Sequence, residues 1–501
     1  MEIYRVLPST KSLSSTPTHF IAEMAMLLKK LWETVSHSST TPQLKSTSGL
    51  LSSDDRSTSN TGAFERIPDE ILVIILKKLG PKETAKLCTI CKTWSDFLSS
   101  DNHLWIHFFQ SLSDDWESIF FAEAHLRAYK LVYHEETPQL SLKNIFGKRA
   151  KVPGALLIDG GSGYCKFGWS RYSGPSGKPA TFMEFGNIEA PMYGRLRDFY
   201  STIYDRMHVK YTSHPIVVSI PICHYDDTES AKASRRQLKE AIHSALYDLN
   251  VPAVCAINQA TLALYAARRT SGIVVNIGFR QTSIVPILHG KVMRRVGVEV
   301  VGMGGLKLTS FLREQLQQKN IHFESLYTVR ELKENLCYVA LDYEAELSRH
   351  TEQSYEVPRE GVFTLSEERF QTGEILFRPR IAGVRAMGLH QAVALCMDHC
   401  YDAELMGDDN WFKTVILCGG TACLRGLPER LEKELRAHLP SYISNGIRVM
   451  PPPYGVDSAW HGARIISNLS SFPGAWCMTK KQFRRKLRIK QLSPSFSKLL
   501  G

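Results

Sequence analysis

The strongest constraint on the fold is a glycine-rich turn between two short apolar runs. Residues 155–169 read ALLIDGGSGYCKFGW, so one apolar run ends near Asp159 and another follows the glycines. A turn of this kind aims successive backbone N–H groups into one concavity, which favours a phosphate group. From Gly154 onward, similar runs and turns alternate with long helical stretches. This alternation predicts an α/β fold.

Upstream of the turn, the sequence predicts a small helical unit of about fifty residues. Its first helix opens at residues 67–70, with a proline in the first turn and two acids near the positive end of the dipole. Gly80 and Pro81 end that helix, and two further helices follow. So small a unit cannot bury all of its large apolar side chains. We therefore expect a partner protein to cover some of them.

The residues of this helical unit resemble an F-box. The matching pattern is I67-P68-x-E70-I71-L72, then C91-K92-x-W94, then L104-W105, within residues 64–110. An F-box implies docking to a Skp-type adaptor and, through it, to a cullin–RING ubiquitin ligase. The residues expected to bind the adaptor are Ile67, Pro68, Ile71, Leu72, Trp94, Leu104 and Trp105.

Several motifs downstream resemble actin, and they follow the order of that family. The turn at 155–169 looks like the first phosphate loop, and AINQATLALYAARRTSGIVVNIG at 256–278 looks like the segment leading into the second. LKENLCYVALDYEAEL at 332–347 closely matches actin, and ILCGGTACLRGLPERL at 416–431 resembles its adenosine loop. The resemblance implies an actin-like fold, a duplicated ribonuclease H-like α/β fold, preceded by a small all-α F-box domain. Together the two parts resemble the F-box-containing actin-related proteins of plants.

The actin resemblance implies a site for ATP or ADP with Mg²⁺. Asp159, the glycines after it and Lys166 match the first phosphate loop. Gln259 matches the glutamine that orients the attacking water, and Lys333 with Glu334 falls where actin holds the adenosine. The candidate nucleotide-binding residues are Asp159, Gly161, Ser162, Gly163, Lys166, Gln259, Asn276, Gly278, Lys333, Glu334, Gly419, Gly420 and Thr421.

The second phosphate loop, NIGFRQTS at 276–283, departs from the family. Asn276 stands where the family has an aspartate, which removes a charge and a strong acceptor from the Mg²⁺ shell. Phe279 and Arg280 replace an acidic residue and a glycine at a turn that must approach a phosphate. Poor positioning of the water and the metal costs about 10² to 10⁴ in rate. We therefore predict no useful ATP hydrolysis, and no residue is assigned as catalytic.

A second departure concerns the small upper subdomain of the actin fold. Only about sixty residues separate Asp159 from Pro221, markedly fewer than actin uses. The fold is therefore expected to have a reduced upper subdomain and to lack the loop that enters the next filament subunit. Filament growth needs two matching faces, so filaments are not expected. The hydrophilic stretch at 223–236 is expected to form a solvated loop.

The chain is predicted to have five segments. They are a Ser/Thr-rich disordered N-terminus (1–63), the F-box (64–110), a helical linker (111–152), the actin-like domain (153–480) and a basic C-terminal tail (481–501). The longest apolar run is far too short to cross a bilayer, so no membrane domain is expected. Cys88 and Cys91 have no second Cys/His pair at zinc-finger spacing, so no metal site is predicted there.

The net charge is +11, and much of the excess lies in KKQFRRKLRIK at 480–490. Such a block can bind nucleic acid, an anionic partner or an import receptor, or it can be a solvated helix face. We expect the protein in the nucleus, with the nucleolus as a particular destination and the cytoplasm as the alternative.

Three functions compete at this stage. The first is an F-box adaptor that uses its actin-like domain to hold a client protein of unknown identity. The second is an actin-related scaffold subunit of a nuclear complex, without a ligase role. The third is an active ATPase or a filament former, against which Asn276 and the short upper subdomain both argue.

Overall fold

The computed structural model describes residues 68–90, 92–111, 115–128, 141–180, 192–221, 228–296, 299–403 and 411–497. Two compact units are present, one ending at Leu98 and the other beginning at Ser99. The predicted disordered N-terminus, 1–63, and Ile67 lie outside the described residues. In the part of the chain that is described, no helix is long and apolar enough to cross a membrane.

The first unit contains α1 (Asp69–Leu79), α2 (Pro81–Leu87) and most of α3 (Lys92–Ser100). Asp69 and Glu70 occupy the first turn of α1, and two lysines occupy its last turn, so both ends suit the helix dipole. Gly80 ends α1 with a φ of 86°, a conformation that glycine adopts without steric cost. Leu72 and Leu76 are buried at helical spacing.

The second unit opens with three helices, and its sheets and remaining helices follow. These elements are α4 (Asn102–Ser111), α5 (Trp116–Ala128), α6 (Leu142–Ala150), β1 (Leu156–Gly160), β2 (Cys165–Trp169), α7 (Met192–Met207), β3 (Ile216–Ile220), α8 (Glu229–Asp248), β4 (Ala253–Asn258), α9 (Gln259–Ala266), β5 (Gly272–Ile277), β6 (Thr282–Leu288), β7 (Lys291–Val292), β8 (Glu299–Val301), α10 (Gly305–Gln318), α11 (Leu326–Leu336), α12 (Tyr343–Leu347), β9 (Gln353–Val357), β10 (Gly361–Leu365), α13 (Glu368–Glu374), α14 (Leu389–Asp402), β11 (Thr414–Cys418), α15 (Leu427–His438), α16 (Ser441–Ser444), β12 (Arg448–Met450), α17 (Ser458–Ser467), β13 (Met478–Thr479) and α18 (Lys480–Ser497).

The second unit contains two larger sheets built on one plan. In the first, the strand order is β13-β4-β3-β1-β2, with β1 and β2 as a hairpin and β3 and β4 parallel to β1. In the second, the order is β12-β11-β5-β6-β7, with β5 and β6 as a hairpin and β11 and β12 parallel to β5. The central strands are apolar and buried, as parallel strands covered on both faces must be. This duplication is the predicted actin-like plan.

Helices α9 and α17 lie between the two sheets and cross over to the opposite half. Helix α9 follows β4 of the first sheet but packs on β5 and β11 of the second, and α17 follows β12 but packs on β1 and β3. The two helices meet at Gly462, where an added Cβ would lie 1.8 Å from the Leu262 carbonyl oxygen. Only a glycine permits this approach.

The predicted linker forms helices α5 and α6. Ile119, Ala122 and Leu126 of α5 belong to the core beneath the first sheet, together with Tyr265 of α9. Arg268 donates to Glu117 Oε2 at 2.7 Å and to Ser118 Oγ at 3.0 Å, which adds a polar tie to the same helix. Helix α5 is therefore part of the body of the second unit.

Two hydrophilic segments form helices. The stretch 223–236 was expected to be a solvated loop, but its described part beyond Thr228 belongs to α8, which begins at Glu229. Thr228 caps this helix by accepting from the Ala231 N–H. The basic segment after residue 480 forms α18, and its Phe483 is buried and stacks on His243, with ring centroids 5.4 Å apart.

Candidate functional site

Four predicted polar residues form one connected network between the two sheets. Asp159 ends β1 and is 1% exposed, and its Oδ2 lies 3.3 Å from Lys166 Nζ. Its Oδ1 accepts from Gln259 Nε2 at 2.7 Å. The Gln259 Oε1 in turn accepts from Asn276 Nδ2 at 2.9 Å. The network thus joins β1 and β2 of the first half to β5 of the second.

Ser219 completes the network and was missed in the sequence. Its hydroxyl donates to Asp159 Oδ1 at 2.7 Å and accepts from the Gly160 N–H at 3.2 Å. Ser219 is a polar residue near the carboxyl end of the apolar strand β3, beside the carboxyl end of β1. That placement is a signal the sequence contained, because ligands of parallel sheets gather at this edge.

The glycine-rich first turn and the second turn, at 276–283, touch each other through Phe279. A Cβ on Gly163 would lie 2.7 Å from Cβ and Cγ of Phe279. An apolar ring therefore faces the first turn, where the family presents an acidic residue. Gly278 donates its N–H to Gln281 O at 3.0 Å and accepts at its carbonyl from the Gly305 N–H at 2.9 Å, so the second turn is tied to the start of α10.

The residues predicted to hold the adenosine also lie close together. Lys333 is 5% exposed and donates to Gly305 O at 3.2 Å and Thr309 Oγ1 at 3.1 Å. Burial lowers the pKa of this lysine, while Glu334 acts in the opposite direction. A Cβ on Gly305 would meet Thr421 Oγ1 at 2.7 Å, so Thr421 lies beside the same turn.

Gly419 and Gly420 continue this side of the site. Gly419 has a φ of 92°, and a Cβ there would lie 2.7 Å from Asn276 Oδ1. The loop after β11 is thereby held against the end of β5. Gly420 is more open, because its added Cβ would meet only Val456, at 4.0 Å.

A cation–π contact connects the first turn to α11. The Arg330 guanidinium lies 4.2 Å from the centroid of the Tyr164 ring, and its Nε donates to Glu334 Oε1 at 2.7 Å. Neither Tyr164 nor Arg330 was singled out in the sequence. Lone tyrosine and arginine residues carry no motif, and only the fold brings them together.

These residues fit one half of a nucleotide site. The first turn offers glycine backbone and Lys166 to a phosphate, and Lys333, Glu334 and Thr421 lie at the other end. The metal side does not fit in the same way, because Asn276 gives its amide to Gln259 and Phe279 presents a ring. Half of the predicted clamp is therefore present and half is altered.

The predicted adaptor residues have very different exposures. Pro68 and Ile71 are exposed on the first unit, Trp94 is half-buried and Leu72 is 8% exposed. Leu72, Leu104 and Trp105 were expected at a docking surface, but all three are buried, Leu72 on α1 of the first unit and the other two on α4 of the second. This corrects that part of the surface, because Trp105 packs on Phe146 of α6, with ring centroids 5.6 Å apart.

Two isoleucines of the first unit are exposed, although neither was among the predicted adaptor residues. Ile74 is 56% exposed and Ile90 is 67% exposed. Ile74 lies one helical turn after Ile71, so these two share a face of α1. The signal was present, because Ile74 continues the apolar run of α1 beyond the residues that match the F-box pattern.

Comparison with known proteins agrees with both resemblances. The actin family model matches residues 198–486, and the F-box-like model matches residues 64–111. Actin-related protein 8 of Arabidopsis thaliana is 62% identical over 479 residues, covering 93% of this chain and 100% of that protein. Actin-related protein 8 of Oryza sativa, from subspecies indica and japonica alike, is 61% identical over 439 residues, covering 87% of this chain and 90% of those proteins.

These matches confirm the predicted fold class and family. The actin fold generally binds ATP or ADP with Mg²⁺, and F-box domains generally bind Skp-type adaptors. The chain belongs to the actin family and carries an F-box-like domain ahead of its actin domain.

Proposed function

We propose that the protein is the client-holding adaptor of a Skp–cullin–F-box ubiquitin ligase, with the actin-like domain as the surface that holds the client. The observation that carries this proposal is the apolar face of α1 within the F-box-like region. Ile71 is 49% exposed and Ile74 is 56% exposed, one turn apart. Exposed isoleucines at this spacing favour a partner protein that covers them.

The first test removes this apolar face. Burying one such side chain contributes about 1.5–3 kcal/mol, so Ile71→Ala with Ile74→Ala should weaken Skp-type adaptor binding at least about tenfold. Both side chains are exposed, so the change should leave the melting temperature nearly constant. The matched control is Val362→Ala, which truncates a 66% exposed side chain on β10. Undiminished adaptor binding by the double variant would contradict the proposal.

A nuclear scaffold role without ligase activity is the second candidate. The altered metal side of the nucleotide site favours it over an active ATPase, since a scaffold needs no turnover. Co-purification from plant nuclei separates the two roles. A Skp-type adaptor and cullin should accompany an F-box adaptor, whereas subunits of a nuclear remodelling complex should accompany a scaffold.

ATP or ADP is proposed as a structural ligand that is not turned over. Gly161, Ser162, Gly163 and Lys166 would hold its phosphates, and the residues around Lys333 would hold its adenosine. A ligand that binds only the folded state stabilises it by about 2.7 kcal/mol at a hundredfold excess over Kd. We expect ADP to raise the melting temperature, and ATP turnover to equal the background. Brisk hydrolysis that disappears in Gln259→Ala would contradict this.

We propose that the protein resides in the nucleus, with the nucleolus as a particular destination and the cytoplasm as the alternative. The support is the basic stretch of α18, in which Arg484, Arg485 and Lys486 are all exposed. Replacing these three with serine in a fluorescent fusion should shift the protein toward the cytoplasm. The buried Phe483 stays in place, so the helix should remain docked. An unchanged distribution would show that the helix carries no nuclear localisation signal.

A further inference from the structure

A cavity of about 420 Å³ lies outside the nucleotide site, at the ends of β3 and β4. Pockets of 300–1,000 Å³ are the usual size for small-molecule ligands. None of the thirteen candidate nucleotide-binding residues is among the described residues that line it. A ligand in this cavity would therefore be separate from the adenine nucleotide, and its binding would go beyond the proposed adaptor role.

The lining combines positive charge with hydrogen-bonding groups. Arg235, Lys239 and Arg294 are three cations from two parts of the fold. Guanidinium groups bind phosphates through two parallel hydrogen bonds. Thr261 and Tyr265 of α9 add buried hydroxyl groups, and burial raises the pKa of Tyr265 to about 12, so the phenol stays neutral.

Trp476 gives one wall of the cavity an aromatic surface. Indole rings stack on planar groups and contribute large apolar area. Lys239 is the one exposed side chain among the described lining residues, so it marks the mouth. Its pKa is lowered, first by desolvation and then by Lys486 on the neighbouring α18.

We propose that this cavity binds a small phosphorylated molecule with a planar ring. Arg235 and Arg294 supply the charge for the phosphate, Trp476 supplies the surface for the ring, and Lys239 stands at the entrance. An aromatic wall beside three cations suits such a ligand better than a bare inorganic anion, which has no planar part to place.

Pyridoxal phosphate is a suitable probe on the full-length protein. Its aldehyde condenses with an unprotonated amine to form a C=N bond, releasing water, and borohydride reduces this imine to a stable secondary amine. We expect Lys239 to be labelled about tenfold faster than Lys481, because a charged hydrogen bond to the phosphate is worth about one decade of affinity or more. Lys481 is the matched control, since it is exposed on the basic helix α18. Peptide mass spectrometry measures both rates.

Two comparisons make the test decisive. Arg294→Ser should slow labelling of Lys239 about tenfold while Lys481 is unaffected, and Arg294→Lys should restore part of the rate. Pyridoxal without its phosphate should label Lys239 about tenfold more slowly than pyridoxal phosphate, and this arm needs no variant. Equal rates at Lys239 and Lys481, or equal rates for the two aldehydes, would overturn the proposal.

Discussion

The two halves of the actin-like domain share one strand plan but differ at the turn of the opening hairpin. The first turn keeps its glycines, with Asp159 and Lys166 beside it. The second turn has Phe279 and Arg280, and Asn276 precedes it. Where the first half presents charge and backbone, the second presents an amide and an aromatic ring. A duplicated fold can therefore change the side chains at one turn while its strand pairing stays intact, because the turns are not part of the strand ladders.

The packing of the two halves does not follow the order of their elements in the chain. Helix α9 of the first half packs on the second sheet, and α17 of the second half packs on the first. Each half therefore needs the other to complete its core. The joint at Gly462 and the polar network at Asp159 are two places where one substitution can test this dependence.

The largest effect is expected from Gly462→Ala. The new Cβ would lie 1.8 Å from the Leu262 carbonyl oxygen, so α9 and α17 would have to move apart. Overpacking of this kind costs about 3 kcal/mol or more in the free energy of unfolding when backbone must shift. Denaturant unfolding followed by circular dichroism measures the loss.

Gly194→Ala is the matched control for that substitution. Gly194 is an exposed residue within α7, and an added Cβ meets nothing within 4 Å. Alanine there should stabilise the protein by about 0.5–1 kcal/mol, because glycine is a poor helix former. If both substitutions had the same small effect, the tight joint between the halves would be contradicted.

Much of the fold followed from the sequence, whereas the relations between distant residues did not. The Gly-rich turn and the ordered actin motifs predicted the duplicated α/β fold because each motif is local. The contact of Phe279 with Gly163 joins residues far apart in sequence, so no local pattern contains it. The prediction that Leu104 and Trp105 lie at the docking surface was wrong for a related reason. An apolar helix face shows that the face is buried, but it does not show which unit buries it. Ser219 could have been predicted, because ligands of parallel sheets gather at the carboxyl ends of the strands.

The next largest effect is expected from Asn276→Asp, which returns the family's carboxylate to the second half. A carboxylate cannot donate to Gln259 Oε1, so the bond of 2.9 Å is lost unless Gln259 turns its amide away from Asp159. Without Mg²⁺ this should cost about 1–3 kcal/mol. With ADP, added Mg²⁺ should restore much of the stability, because the carboxylate is a metal ligand.

Thermal unfolding with Mg²⁺ and with a chelator measures that difference. Asn335→Asp is the control, since the exposed Asn335 also uses its amide as a donor, to Glu331 O at 2.9 Å. Its unfolding should be insensitive to Mg²⁺. Hydrolysis should stay low in Asn276→Asp, because Phe279 and Arg280 remain. If the stability of Asn276→Asp did not depend on Mg²⁺, the role assigned to Asn276 would be refuted.

A smaller effect is expected from the contact between the two turns. Gly163→Ala places a Cβ 2.7 Å from Cβ and Cγ of Phe279 and should cost about 1–2 kcal/mol. Phe279→Gly removes both of these atoms, so the alanine should then be tolerated. The double variant should be more stable than the sum of the single effects by about 1 kcal/mol. Additive effects would mean that the turns do not touch.

The smallest effect is expected at the cation–π contact between the first turn and α11. Tyr164→Leu removes the ring 4.2 Å from Arg330 and should cost about 0.5–1 kcal/mol, since the ring is half-buried. Glu334→Gln keeps that contact and removes an exposed ion pair, which should change stability by at most about 0.5 kcal/mol. Because Tyr164 belongs to the first turn, its loss should also speed amide hydrogen exchange there. A double-mutant cycle of Tyr164→Leu with Arg330→Gln decides the matter, for a coupling free energy near zero would show that this contact does not hold the two halves together.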